Sequence, residues 1–145
     1  MTWAPLVLSI EIATVATLIA VALGTALAVV LAWRRLPLPS VAAALVSTPL
    51  VLPPTVLGYY LLVALGPHSA VGRAWHAVFG ADIAFTFTGA VVAAVVGSLP
   101  LVVGAVLVGI DGIDPDLVAA ARTLGARPLR VLATIRLPLA APAIA

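Results

Sequence analysis

The residues best suited to do chemistry lie between Asp114 and Pro138, in DPDLVAAARTLGARPLRVLATIRLP, a polar stretch with four arginines set between two hydrophobic segments. The chemistry is that of docking rather than bond-making. Arg122, Arg127 and Arg130 can pair with acidic groups on a partner or, with Arg136, hold the segment at one membrane surface, beside a shallow apolar face. Asp114 is an N-cap type, Pro115 suits a first helical turn where its missing N–H is no loss, and Asp116 adds a carboxylate at the positive end of the helix dipole. A helix is predicted to start here. Leu117, Ala120, Ala121 and Leu124 fall at i, i+3, i+4 and i+7 on one face, and Gly125 follows where helices commonly end in a left-handed residue. Arg127-Pro128 then restarts the chain, and Leu129, Leu132 and Ile135 continue an apolar stripe. Two short helices at an angle are expected.

The elements that hold this segment are membrane spans. Apolar residues make up 64% of the 145-residue chain and charged residues 8%, far from the roughly 45–50% and 25% of soluble domains. A helical span needs about 20 apolar residues to cross a core of roughly 30 Å. Stretches of about 12–33, 41–65 and 85–110 qualify, with residues 111–136 as the loop that follows, and a fourth begins at Leu137. The nine residues from Leu137 to Ala145 cover less than half a bilayer at roughly 1.5 Å each, so the sequence reads as an incomplete bundle. Arg34 and Arg35 follow the first span and the four motif arginines follow the third, which places both loops in the cytoplasm and the N-terminus, with Glu11, outside. The first span has no positive n-region and is too long for a cleaved signal peptide, so it is expected to be retained.

Several functions are excluded. There is no cysteine, hence no disulfide framework and no thiolate metal site, and no lysine, hence no P-loop of the GxxxxGK[ST] kind. The net charge of +2 belongs to arginines beside spans rather than to a continuous basic surface, which argues against nucleic acid. His68, His76 and Asp82 share the outer loop without metal-ligand spacing, and no Ser/His/Asp or paired-carboxylate constellation is present, so no enzyme is expected. Within the bilayer, Pro49, Pro53, Pro54 and Pro100 remove helical hydrogen bonds and predict kinks. The freed carbonyls at Pro53-Pro54 want a polar or protein-lined setting, so Pro53, Pro54 and Thr55, with Ser98 from the third span, are pore-lining candidates. Tyr59, Tyr60, Trp3, Trp33 and Trp75 suit an aromatic belt, and the pairs Gly24/Ala28 and Ala93/Gly97 suit close helix packing.

The loop resembles the cytoplasmic "EAA" segment of bacterial ABC-importer permeases, which reads Glu, Ala, Ala, three residues, Gly, nine residues, Ile, one residue, Leu, Pro. Ala120, Ala121, Gly125, Ile135, Leu137 and Pro138 fall in register, while Ala119 stands at the glutamate position. The segments LPPTVLGYYLL (Leu52–Leu62), FTFTGAVVA and SLPLVV are similar to the molybdate branch of that family, over nearly the whole chain. The resemblance implies an all-α polytopic bundle of the type I importer kind in the bacterial cytoplasmic membrane, truncated after about two-thirds of the usual unit. It implies a homodimer of permeases that passes molybdate, with tungstate or sulfate as alternative oxyanions. A separate ABC ATPase would bind ATP and Mg and push on Asp114, Leu117, Ala120, Ala121, Leu124, Gly125, Ile135, Leu137 and Pro138. An extracytoplasmic oxyanion-binding protein would deliver the ion, and this chain would hold no cofactor. Rival expectations are a secondary transporter or channel, which would carry charged or broken-helix ion sites at the midplane, and a non-transporting membrane fragment.

Overall fold

A computed structural model describes residues 3–32, 46–49 and 51–143. Trp33, Arg34, Arg35 and the start of the second expected span (residues 41–45) lie outside the described residues. The regular elements of the described residues are all helical: α1 (Ala4–Ala32), α2 (Pro54–Leu65), α3 (Ala70–Phe79), α4 (Phe87–Asp111), α5 (Pro115–Thr123) and α6 (Pro128–Val131). A π-helical turn (Leu132–Arg136), α7 (Leu137–Ala140) and a 3₁₀ turn (Ala141–Ala143) follow. Two of these helices, α1 and α4, are long and apolar enough to cross a bilayer. With 29 and 25 residues they extend roughly 43 and 37 Å at about 1.5 Å per residue.

In an apolar solvent each hydroxyl must find a partner, and these helices supply their own. Ser9 and Thr14 donate to the carbonyls of Pro5 and Ile10, at 2.9 and 2.7 Å, and Ser98 to that of Ala94 at 2.8 Å. α1 begins at Ala4, well before Ile12. Pro100 is buried inside α4, which continues through it; its ring removes the N–H that the Val96 carbonyl would accept.

The second expected span is broken rather than kinked. Residues 46–49 and Val51 are helical, Leu52 and Pro53 are not, and α2 starts with Pro54 at its first position. The cause is local: a residue before proline is driven out of the α region, so Leu52 and Pro53 are both pushed towards extended geometry, and Pro53 adopts φ −55°, ψ 139°.

α1 and α4 pack side by side and run in the same direction. Ala16 and Ala20 share one buried cluster with Val91 and Val95, and Ala28 shares another with Val103, Val106 and Ile110. Ala16, Ala20, Gly24 and Ala28, every fourth residue, are the buried face of α1. Small side chains at this spacing let two backbones approach, which is how helices associate where no hydrophobic driving force exists between them. Ala140 of α7 joins the Ala28 cluster, so the chain doubles back along the last turns of α4. Parallel packing puts Ala32 and Asp111 at one end of the bundle, and α5 and α6 follow there; α3 lies at the other end, between α2 and α4.

Candidate coupling site

α5 owes its position to its two ends. Asp114 Oδ1 accepts from the Asp116 amide at 2.9 Å, satisfying one of the first-turn donors, and Pro115 occupies the first turn without loss. At the other end Gly125 takes φ +81°; its amide donates to the Arg122 carbonyl and that of Ala126 to the Ala121 carbonyl, both at 3.0 Å. This is the Schellman arrangement, which needs a left-handed residue just beyond the helix, and a β-carbon there would be strained although nothing lies within 4 Å of it. Arg127, extended at ψ 152°, then leads into Pro128 at the start of α6.

α6, the π turn and α7 form one continuous helical stretch in which the ladder widens before Pro138. The Leu137 amide donates to the carbonyl of Leu132, five residues back, and Pro138 offers no donor at all. A proline in an unbroken α-helix would drive its ring into the carbonyl four residues back, and the wider turn relieves that clash. Thr134 Oγ1 donates to the Arg130 carbonyl at 2.7 Å. The π turn was not legible in the hydrophobic pattern; the signal for it is Pro138 within a helical stripe.

The two faces of α5 differ. Leu117 and Leu124 are 51% and 87% exposed, with Ala120 exposed between them. The opposite face, Pro115, Val118, Ala119 and Arg122, lines a cavity of about 730 Å³ closed by Ala32, Ile110, Asp111 and Arg136. Ala119, at the glutamate position of the motif, looks into this space. A second cavity, of about 250 Å³, lies in the angle between the two pieces and is lined by Ala121, Leu124, Gly125, Arg130 and Ile135 among others. Four of the motif-segment residues expected from the sequence, Ala121, Leu124, Gly125 and Ile135, thus meet around one hollow. Leu117 and Ala120 lie on the exposed face, Asp114 at the cap, and Leu137 and Pro138 beyond the π turn, half-buried and exposed respectively.

The pore-lining candidates are not gathered in the same way. Pro53, Pro54 and Thr55 are exposed at the start of α2, and Ser98 is half-buried on α4 with its hydroxyl bonded back to Ala94. The apolar cavity of about 520 Å³ between α1, α2 and α4 is lined instead by Leu8, Ile12, Gly58, Leu62, Phe85 and Ala93 among others. Tyr59 and Tyr60 lie midway along α2, 64% and 59% exposed, with rings edge-on at 5.8 Å. Glu11 is exposed two turns into α1. Among the described residues no group of three His, Asp or Glu could hold a metal ion.

Residues 20–145 match the family described as binding-protein-dependent transport system inner membrane component. The chain is 40% identical over 142 residues to the molybdenum transport system permease protein ModB of Escherichia coli K12, covering 98% of this chain and 62% of that protein. It is 41% identical to ModB of Azotobacter vinelandii, over 93% of this chain and 60% of the relative. The molybdate/tungstate transport system permease protein WtpB of Thermococcus kodakarensis is 36% identical over 94% of this chain and 50% of its own length. The chain therefore spans about 60% of the length of the first two of these curated relatives. With the match running through the later part of α1, all of α4 and the whole hinged segment after it, the chain belongs to the family of inner-membrane components of binding-protein-dependent transport systems.

Proposed function

We propose that this chain is a permease subunit of an ATP-driven importer that carries molybdate across the bacterial cytoplasmic membrane. A separate ABC ATPase acts on it through residues 114–138. The observation that carries this reading is the hinged lever itself: α5 offers an unpartnered apolar face, Leu117, Ala120 and Leu124, and is joined to α6 by a left-handed Gly125. Permease relatives named for molybdenum transport support the substrate, and the molybdate/tungstate relative supports tungstate as a second oxyanion.

Orientation follows from charge and packing together. Because α1 and α4 are parallel, Ala32, after which the sequence carries Arg34 and Arg35, lies at the end where α5 follows with Arg122, Arg127, Arg130 and Arg136. Positive charge marks the cytoplasmic side, where ATP is found. The chain itself is not an enzyme: it has no lysine for a phosphate-binding loop, and ATP and Mg are held by the partner. A second permease copy and an extracytoplasmic oxyanion-binding protein complete the assembly.

In operation, closure of the ATPase pair displaces α5 as a rigid body, since both of its ends are tied by hydrogen bonds. The displacement passes through the Gly125 hinge and the π turn to Ala140, which is packed against Ala28, Val103 and Val106 of α1 and α4. The oxyanion descends a path walled by Pro53, Pro54, Thr55 and Ser98, which must hold it weakly enough to release it. The test replaces Gly125 with valine, which cannot take φ +81° without a cost of roughly 1–2 kcal/mol. Co-purification of the ATPase and uptake of molybdate should both fall; full capture with full uptake would defeat the docking assignment.

A further inference from the structure

α3 is a helix of ten residues where sequence reasoning expected a solvated loop. It is terminated at both ends by its own chemistry: Ser69 Oγ accepts from the Gly72 amide at 2.7 Å, and Gly80, at φ +70°, donates its amide to the His76 carbonyl at 2.8 Å. Its sides are unlike. Val71, Ala74, Trp75 and Val78 recur at i, i+3, i+4 and i+7, with Phe79 beside them, and Val71, Val78 and Phe79 are 55%, 74% and 62% exposed. The Trp75 and Phe79 rings lie 4.1 Å apart, tilted by 30°, forming one apolar slab. Arg73 and His76 emerge on the far side, where Arg73 Nη1 donates to the His68 carbonyl and His76 Nδ1 sits 3.1 Å from Asp82 Oδ1. A flank is pinned to the end of α2, since a β-carbon on buried Gly72 would fall 2.0 Å from the Gly66 carbonyl oxygen.

We propose that α3 is an interfacial helix whose Val71–Trp75–Val78–Phe79 face is sunk into a phospholipid leaflet, with Arg73 and His76 at headgroup level. The tethers impose this depth. Residues 66–69 join α3 to α2, and four residues span at most about 14 Å. α4 extends roughly 37 Å against a hydrocarbon core of about 30 Å, so centring it in the bilayer puts its first turn, where the connection from α3 ends, at the headgroup boundary. A short helix so tethered stays near the membrane surface, and α2, to which it is tied, exposes apolar side chains of its own at Tyr59 and Val63. Aromatic and aliphatic side chains opposite basic ones are the composition that lies in such an interface.

The test uses the protein with Trp3→Phe and Trp33→Phe, leaving Trp75 as the single indole of residues 1–145, reconstituted in phosphatidylcholine vesicles brominated near the headgroup end or near the terminal methyl of the acyl chain. Trp75 emission should be blue-shifted and quenched severalfold by the shallow bromines, little by the deep ones and little by aqueous iodide. Val78→Asp should shift the emission to the red and weaken the bromine quenching while helix content is unchanged. Emission open to iodide and indifferent to bromine would overturn the proposal, and so would emission indifferent to both, which would mean that protein covers the face.

Discussion

A β-carbon on Gly24 would lie 2.6 Å from Val102 Cγ1 and 2.9 Å from Val102 Cβ, so the crossing of α1 and α4 admits no side chain at this point. The valine cannot swing clear cheaply, because its Cβ is fixed to the α4 backbone. Gly24→Val should destabilise the bundle by about 1–3 kcal/mol, the usual cost of overpacking, and lower the thermal unfolding midpoint in detergent. Gly97→Val serves as the control, because nothing lies within 4 Å of a β-carbon there; equal losses from both would show that the α1–α4 contact is not the cause.

The parallel course of α1 and α4 is open to a clean chemical test because the chain contains no cysteine. Paired substitutions Ala16→Cys with Val91→Cys, and Ala28→Cys with Val106→Cys, should cross-link on mild oxidation. Ala16→Cys with Val106→Cys should not, and efficient bridging of that third pair would mean that the helices run antiparallel.

Asp114→Ala removes the acceptor for the Asp116 amide and should cost the α5 segment about 0.5–2 kcal/mol. Hydrogen exchange read on amides 116–118 should accelerate by roughly a factor of ten for each 1.4 kcal/mol lost, while the amides of α4 keep their protection. Uniform acceleration across both helices would instead point to global unfolding.

Ala119 faces the cavity that Arg122 and Arg136 also line, and Arg122 is one turn further along the same helix. Ala119→Glu therefore introduces a carboxylate N-terminal to an arginine at i+3, worth roughly 0.2–1 kcal/mol for a solvent-accessible pair. The unfolding midpoint should rise in dilute buffer and the gain should vanish in high salt or on Arg122→Gln with Arg136→Gln. A gain indifferent to salt and to the arginines would assign the effect to filling of the cavity.

Much of the candidate site was legible because its punctuation is local. Asp114-Pro115, Gly125 and Arg127-Pro128 act on their nearest neighbours, and the helix ends follow them to within a residue. The tandem Pro53-Pro54 was legible as an irregularity, though the helix breaks there instead of bending, because two successive prolines constrain both residues ahead of them. α3 escaped notice although Ser69, Gly80 and the Val71–Val78 spacing announce it; a ten-residue helix in a loop with histidines and an arginine does not resemble a span. The π turn escaped because it answers Pro138 through backbone geometry, which hydrophobic periodicity does not record.

By itself, the sequence determined that the chain is a membrane protein, where its helices stop, and that a hinged arginine-bearing segment follows a span, since composition, capping and proline geometry act over a few residues. Tertiary structure alone decided that Gly24 rather than Gly97 lies in a helix crossing, that α1 and α4 run parallel, and that Ala119 lines the cavity beside Ala32 and Arg136 while Leu117 lies on the other face of α5. These outcomes depend on contacts between residues far apart in the chain, where small side chains are interchangeable by type and only packing chooses among them.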